Sequence, residues 1–219
     1  MHVISINVGR PRELSSGRRT VRTSIRKVPV SGRVRIRRLN VAGDQQSDLN
    51  VHGGIDKAVY AYPSEHYSYW ARELDGVALS RGSFGENFTI SGLLEDAVHI
   101  GDVLRIGSAE LTVTQPRIPC FKLGMRFERP DMAKRFLDSH RTGFYLRVSL
   151  EGDAEAGDAI TIVSRDRAGI AVVDIVRAKF GRDAAGHADQ ELLRRASALT
   201  ALPSTWRDEF KKRLQALNV

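Results

Sequence analysis

A single cysteine, Cys120, stands in the run Gln115-Pro116-Arg117-Ile118-Pro119-Cys120-Phe121-Lys122. The two prolines end the apolar strand over 111–114, because neither can donate to a ladder, so the thiol is expected on a stiff loop at a strand end. Arg117 and Lys122 lie close to it. Cations favour the thiolate, the form that attacks electrophiles or binds soft metals. An inert core cysteine is the ordinary alternative, but flanking prolines and cations are not how a core strand is written.

Two glycine-bearing runs accompany it. In Val51-His52-Gly53-Gly54-Ile55-Asp56-Lys57 the glycine pair lets backbone N–H groups turn toward an anion such as phosphate, with His52 and Lys57 as added donors. The same pair before a strand is also an ordinary turn. In Phe84-Gly85-Glu86-Asn87 a carboxylate and an amide stand at the start of a strand. Asn87-Phe88-Thr89 matches a glycosylation sequon, which carries no weight where no secretory signal is read.

Several familiar chemistries are missing. The chain has no phosphate loop ending in Gly-Lys-Ser/Thr, no Gly-x-Gly-x-x-Gly, no nucleophile-elbow serine and no helix with paired histidines. One cysteine excludes a disulfide within the chain and a cysteine-rich metal cluster, and the six histidines are too scattered for a zinc site.

The charge is uneven. Residues 1–40 hold eleven arginines and lysines against Glu13, a local excess of +10 in a chain whose net charge is +8. Such a field draws something anionic, although alternating arginines also form the wet face of exposed strands. No helix-turn-helix, zinc finger or aromatic RNA-binding signature accompanies it, so a nucleic-acid module is the weakest reading.

The elements that must position these groups fall into two regimes. Up to about residue 165 short β-type runs alternate with turns, as in Val34-Arg35-Ile36-Arg37, and predict a mainly β fold, a barrel or sandwich. Two helices interrupt it, one opened by Ser64 as cap and carrying Tyr67, Tyr69 and Trp70, the other over 131–139 with Met132, Phe136 and Leu137 facing inward; both aromatic stripes read as core. After Arg165 three helices follow, over 172–180, 189–199 and 204–217. The expected domains are therefore 1–165 and a three-helix appendix, 166–219. With no run near the ~20 apolar residues of a membrane span and no signal-like start, a soluble cytoplasmic protein is expected.

Taken in order, Val51-His52-Gly53-Gly54 with Lys57-Ala58-Val59, Phe84-Gly85-Glu86-Asn87, Ile100-Gly101-Asp102, Gln115-Pro116-Arg117-Ile118-Pro119-Cys120 and Tyr145-Leu146-Arg147-Val148 resemble the MOSC-domain family, in the spacing of its bacterial YiiM-type branch. The resemblance implies a closed MOSC-type β-barrel with a small C-terminal three-helix domain, related to the C-terminal domain of molybdenum cofactor sulfurases. It implies a molybdenum cofactor (molybdopterin) bound with Cys120 as the metal ligand. His52, Gly53, Gly54, Lys57, Gly85, Asn87 and Arg117 would form the shell around cofactor or substrate. The amidoxime-reducing relatives carry an arginine where this chain has Gly85-Glu86. The implied activity is reduction of N-hydroxylated compounds, such as hydroxylaminopurine bases, fed by an external electron-donor protein.

Protons for such a reduction would pass through His52 or Glu86. A rival keeps the fold and makes Cys120 a persulfide-bearing sulfur carrier. The apolar stripe Trp206–Leu217 would serve a homodimer as well as an internal contact.

Overall fold

Alternation of apolar and polar residues writes most of the strands. In Phe144–Leu150 the residues Phe144, Leu146 and Val148 are buried while Tyr145 and Arg147 are only partly so, the period of two that gives a sheet a core face and a second face. The computed structural model of the chain describes residues 1–47, 53–182 and 188–217. Its strands are β1 (His2–Val8), β2 (Arg12–Ser16), β3 (Arg19–Thr23), β4 (Val28–Val30), β5 (Val34–Arg37), β6 (Asn40–Val41), β7 (Val59–Pro63), β8 (Phe88–Ser91), β9 (Val103–Ile106), β10 (Ala109–Pro116), β11 (Phe144–Leu150), β12 (Gly152–Ala154) and β13 (Ile160–Ser164).

The main sheet has eight strands in the order β13-β9-β10-β11-β7-β8-β1-β4, antiparallel except where β7 runs parallel to β8. A three-stranded sheet β12-β5-β6 and the hairpin β2-β3 lie beside it. The expected closed barrel is not found. The sheet keeps two edge strands, β13 and β4. Its start meets its end through a bridge between His2 and Ala159, with Val3 N donating to Asp158 O at 2.9 Å, Gly157 N to Val3 O at 2.7 Å and Ile160 N to Met1 O at 2.9 Å. The fold is mixed and sheet-dominated.

The helices are α1 (His66–Glu73), α2 (Phe121–Phe127), α3 (Met132–Asp138), α4 (Val172–Phe180), α5 (Gln190–Ala198) and α6 (Ser204–Leu217), with a 3-10 turn over Ile55–Lys57. Ser64 does not cap α1 with its side chain; its carbonyl accepts from Tyr67 N instead. The aromatic stripes are core, as expected. Tyr62, Trp70, Phe84, Met132 and Phe136 are fully buried in one cluster beneath α1, α2 and α3, with the Trp70 and Phe136 rings stacked 5.5 Å apart. Leu137, expected inward, is only half-buried.

The C-terminal helices form as predicted, but they are not separate from the sheet. Ile175, Leu193, Leu202, Trp206 and Phe210 belong to the same apolar cluster as Leu111, Val113 and Leu146 of the sheet, and α4 packs on β10. Much of the stripe on α6 is thus spent inside the chain, while Leu217 stays exposed. No helix among the described residues is long and apolar enough to cross a membrane.

Candidate active site

Strand register builds the floor of the site. Gln115 of β10 pairs with Tyr145 of β11, and Tyr145 pairs with Tyr60 of β7, so these three side chains form a row on one face of the sheet. The neighbouring row, Val113, Leu146 and Val59, faces the core. Between Val113 and Gln115 the register slips: one extra residue, Thr114, sits on β10. In an unbroken strand residues 113 and 115 would share a face, and the bulge is what turns Gln115 to the side of Tyr145. The Thr114 hydroxyl lies 2.7 Å from Asp56 O and 3.1 Å from Tyr145 O, pinning the bulge to the 3-10 turn.

The strand runs on to Pro116, opposite Phe144, rather than ending at Thr114. A proline at the last position of a strand forfeits little of the ladder. Four residues later Cys120 stands in extended conformation immediately before α2, half-buried. Along this connection Arg117 turns inward and is 7% exposed. Its guanidinium lies 5.0 Å from the Tyr60 ring centroid and 5.4 Å from that of Phe136. Burial works against the cation, but Tyr60, Tyr145, Cys120 and Tyr62 outweigh it and hold the arginine above its ordinary pKa. One nitrogen, Arg117 Nη1, is buried without a hydrogen-bond partner among the described residues.

These groups border a cleft with roughly 590 Å³ of empty volume that includes open solvent. The loop between β3 and β4 supplies one wall with Ser24, Ile25 and Lys27. Ser24 Oγ is a second buried polar atom with no partner among the described residues. Lys27 is ion-paired with Asp44, their side chains 7% and 1% exposed, and burial lowers the lysine pKa against the pull of Asp44 and Glu86. Among the described residues, four cations, Lys27, Lys57, Arg117 and Lys122, line the cleft against the carboxylate of Asp44. Lys57 has its pKa lowered by burial, with Asp56 opposing.

Of the residues expected from the sequence, Cys120, Arg117, Lys57, Asn87 and Gly85 meet at this cleft. Asn87 works mainly as a clamp: its Oδ1 accepts from Tyr60 N at 3.2 Å and its Nδ2 donates to Asp44 Oδ2 at 2.9 Å. Gly85, at φ 82°, lets the turn pass Ile25, whose Cγ1 would lie 3.2 Å from an added Cβ. Gly54 opens the 3-10 turn at φ 96° with open space around it, and neither Gly53 nor Gly54 is among the lining residues. His52 lies outside the described residues.

Glu86 lies apart from the lining of the cleft, its side chain fully buried. The carboxylate accepts from the Tyr67 hydroxyl, Gly82 N at 2.9 Å, Phe84 N at 3.1 Å and Thr89 Oγ1 at 2.9 Å. All of these hold the 82–89 turn together. Burial nonetheless raises its pKa. The residues not anticipated are Ser24, Lys27, Asp44, Tyr60 and Tyr145; only the local basic excess pointed toward the loop that carries Lys27.

A family model for the MOSC domain matches residues 48–161. The chain belongs to the MOSC domain family. Over 217 residues this MOSC protein is 39% identical to the protein YflK of Bacillus subtilis, covering 98% of the chain and 95% of that relative. It is 32% identical over 181 residues to a protein of Gibberella moniliformis named Reductase, of which it spans 31%. Among solved structures it resembles YiiM from Geobacillus stearothermophilus, with a TM-score of 0.80, 35% identity and coverage of 97% and 98% of the two chains.

The matched segment of the MOSC protein contains Lys57, Arg117, Cys120, Lys122 and Tyr145, but not the wall of Ser24, Lys27 and Asp44. The donor set of the complete cleft fits an anionic, metal-bearing ligand. A thiol suits a soft metal, and two unsatisfied buried donors among cations suit phosphate oxygens.

Proposed function

We propose that this MOSC protein holds a pterin molybdenum cofactor in the cleft and reduces N-hydroxylated compounds, such as hydroxylaminopurine-type bases, to amines. The observation that carries the reading is the presence, in one cationic cleft, of the Cys120 thiol and the unsatisfied Arg117 Nη1. Cys120 would be the thiolate ligand of the metal. Arg117, Lys57, Lys122 and the Ser24 hydroxyl would take the cofactor phosphate, with Lys27 held ready by Asp44. When bound, the cofactor supplies the two-electron chemistry that converts N–OH and two protons to N–H and water, its electrons coming from an external donor protein.

The chain's own part is electrostatic. The cations that line the cleft with Cys120 would hold an anionic, metal-bearing group against the thiol. Tyr60 and Tyr145, whose pKa values burial raises, stay neutral and form a polar floor without adding charge. Similarity to a relative named Reductase supports the oxidoreductase class.

The test is turnover. Protein purified from a host that makes the cofactor, given a chemical reductant, should convert 6-hydroxylaminopurine to adenine, and the Cys120→Ser variant should not. Wild-type protein that makes no adenine and instead carries labile sulfane sulfur on Cys120 would replace this reading with that of a sulfur carrier.

A further inference from the structure

A second cleft, with about 820 Å³ of empty volume that includes open solvent, lies on the other side of the 116–120 connection, between it and helices α4 and α6. Cys120, Lys57 and Tyr145 line both clefts, so ligands in the two would meet at the cysteine. The second differs in character. Its far wall carries Trp206, with Lys179 Nζ 4.6 Å from the ring centroid, and Lys179 is neutralised by an ion pair with Glu209. It is an aromatic and polar cavity rather than an anion trap.

Gln115 lines this cleft alone of the two. It is 3% exposed, and no described residue hydrogen-bonds its side-chain amide. Its amide atoms are not among the fully buried polar atoms left without a partner, so the amide opens on this cleft, where a ligand can meet it. It is there because of the bulge at Thr114, which turns residue 115 away from the core. A carboxamide offers one donor and one acceptor side by side, the complement of a flat heterocycle that presents the same pair.

We propose that the second cleft is the substrate subsite and that Gln115 is its specificity-determining residue, reading the donor–acceptor edge of a neutral planar base while the anionic cofactor occupies the first cleft. This rests on the reductase reading above. Trp206 and Tyr145 supply the aromatic walls, and Cys120 marks where base and cofactor come together.

The test uses two probes on the purified chain, adenine for the second cleft and inorganic pyrophosphate for the first. Gln115→Leu, close in volume, should weaken adenine binding about ten-fold or more, the usual cost of leaving such a contact unmade. Its pyrophosphate affinity and melting temperature should match wild type. Gln115→Asn, which keeps the amide on a shorter arm, should fall between and guards against a misfolded leucine variant. Wild-type protein that binds no adenine, unchanged adenine affinity in both variants, or equal losses for both probes would overturn the subsite. Adenine binding that depends on Gln115 in a chain that never carries molybdenum would refute the reductase reading and leave the subsite standing.

Discussion

Arg117 and Cys120 stand three residues apart on one connection and line one cleft, and the guanidinium carries a buried nitrogen that no described residue hydrogen-bonds. A buried charged donor left unmade is expensive, and the pairing of this debt with a thiol is the main physical reason to expect a ligand that is both anionic and metal-bearing. The tyrosines on the floor do not satisfy Nη1.

Removing that charge should empty the cleft before it unfolds the chain. Arg117→Met fills the space against the Tyr60 and Phe136 rings but cannot bond an anion. A charge-assisted hydrogen bond is worth about 1.5–3 kcal/mol, so pyrophosphate affinity should drop roughly ten- to hundred-fold. Arg117→Lys should recover part of it. Calorimetric titration reads the difference, and a melting curve checks that the fold persists.

Gly85 and Gly54 separate strain from site. Both have positive φ, but an added Cβ at Gly85 meets the Ile25 Cγ1 at 3.2 Å, whereas at Gly54 it meets open space. Each alanine should cost on the order of 1–3 kcal/mol for the left-handed backbone. Only Gly85→Ala should also push on the wall that carries Ser24 and Lys27 and lower cofactor retention. Denaturant titration with a metal assay on both variants distinguishes the two effects.

Glu86 should govern stability and not turnover. Burial raises its carboxyl pKa above the ordinary 4.5, so the folded chain keeps this proton to a higher pH than the unfolded chain does. Folding stability contributed by this group therefore falls as pH rises from 4.5 through the raised value. Glu86→Gln should flatten that slope and, by turning an N–H₂ toward donors, cost roughly 1–3 kcal/mol at neutral pH. The pH profile of amine formation should be that of wild type. A shifted activity profile would restore a relay role to the carboxylate.

Periodicity carried much of the fold. Val172–Phe180 and Ser204–Leu217 occur at the bounds the sequence predicts, because each buries its apolar face at the period of a helix. Polar strands such as Arg12–Ser16 and Asn40–Val41 escape such a reading, since each buries a single apolar side chain, Leu14 or Val41, too few to show a period. The helix Phe121–Phe127 hides behind its glycine. Gly124 permits a close pass, 2.8 Å from an added Cβ to Arg129 O, that a helix propensity cannot foresee. Within the site, Arg117 and Cys120 were legible as a local motif. Ser24 and Asp44 reach the cleft from distant loops, and the face of Gln115 is set by a bulge that alternation alone would place the other way.

The most direct test of the account is elemental analysis of the protein purified from a cofactor-making host beside its Cys120→Ser variant. Molybdenum close to one atom per wild-type chain, and little or none in the folded serine variant, is the predicted result. Equal molybdenum in both proteins, or none in either, would contradict it.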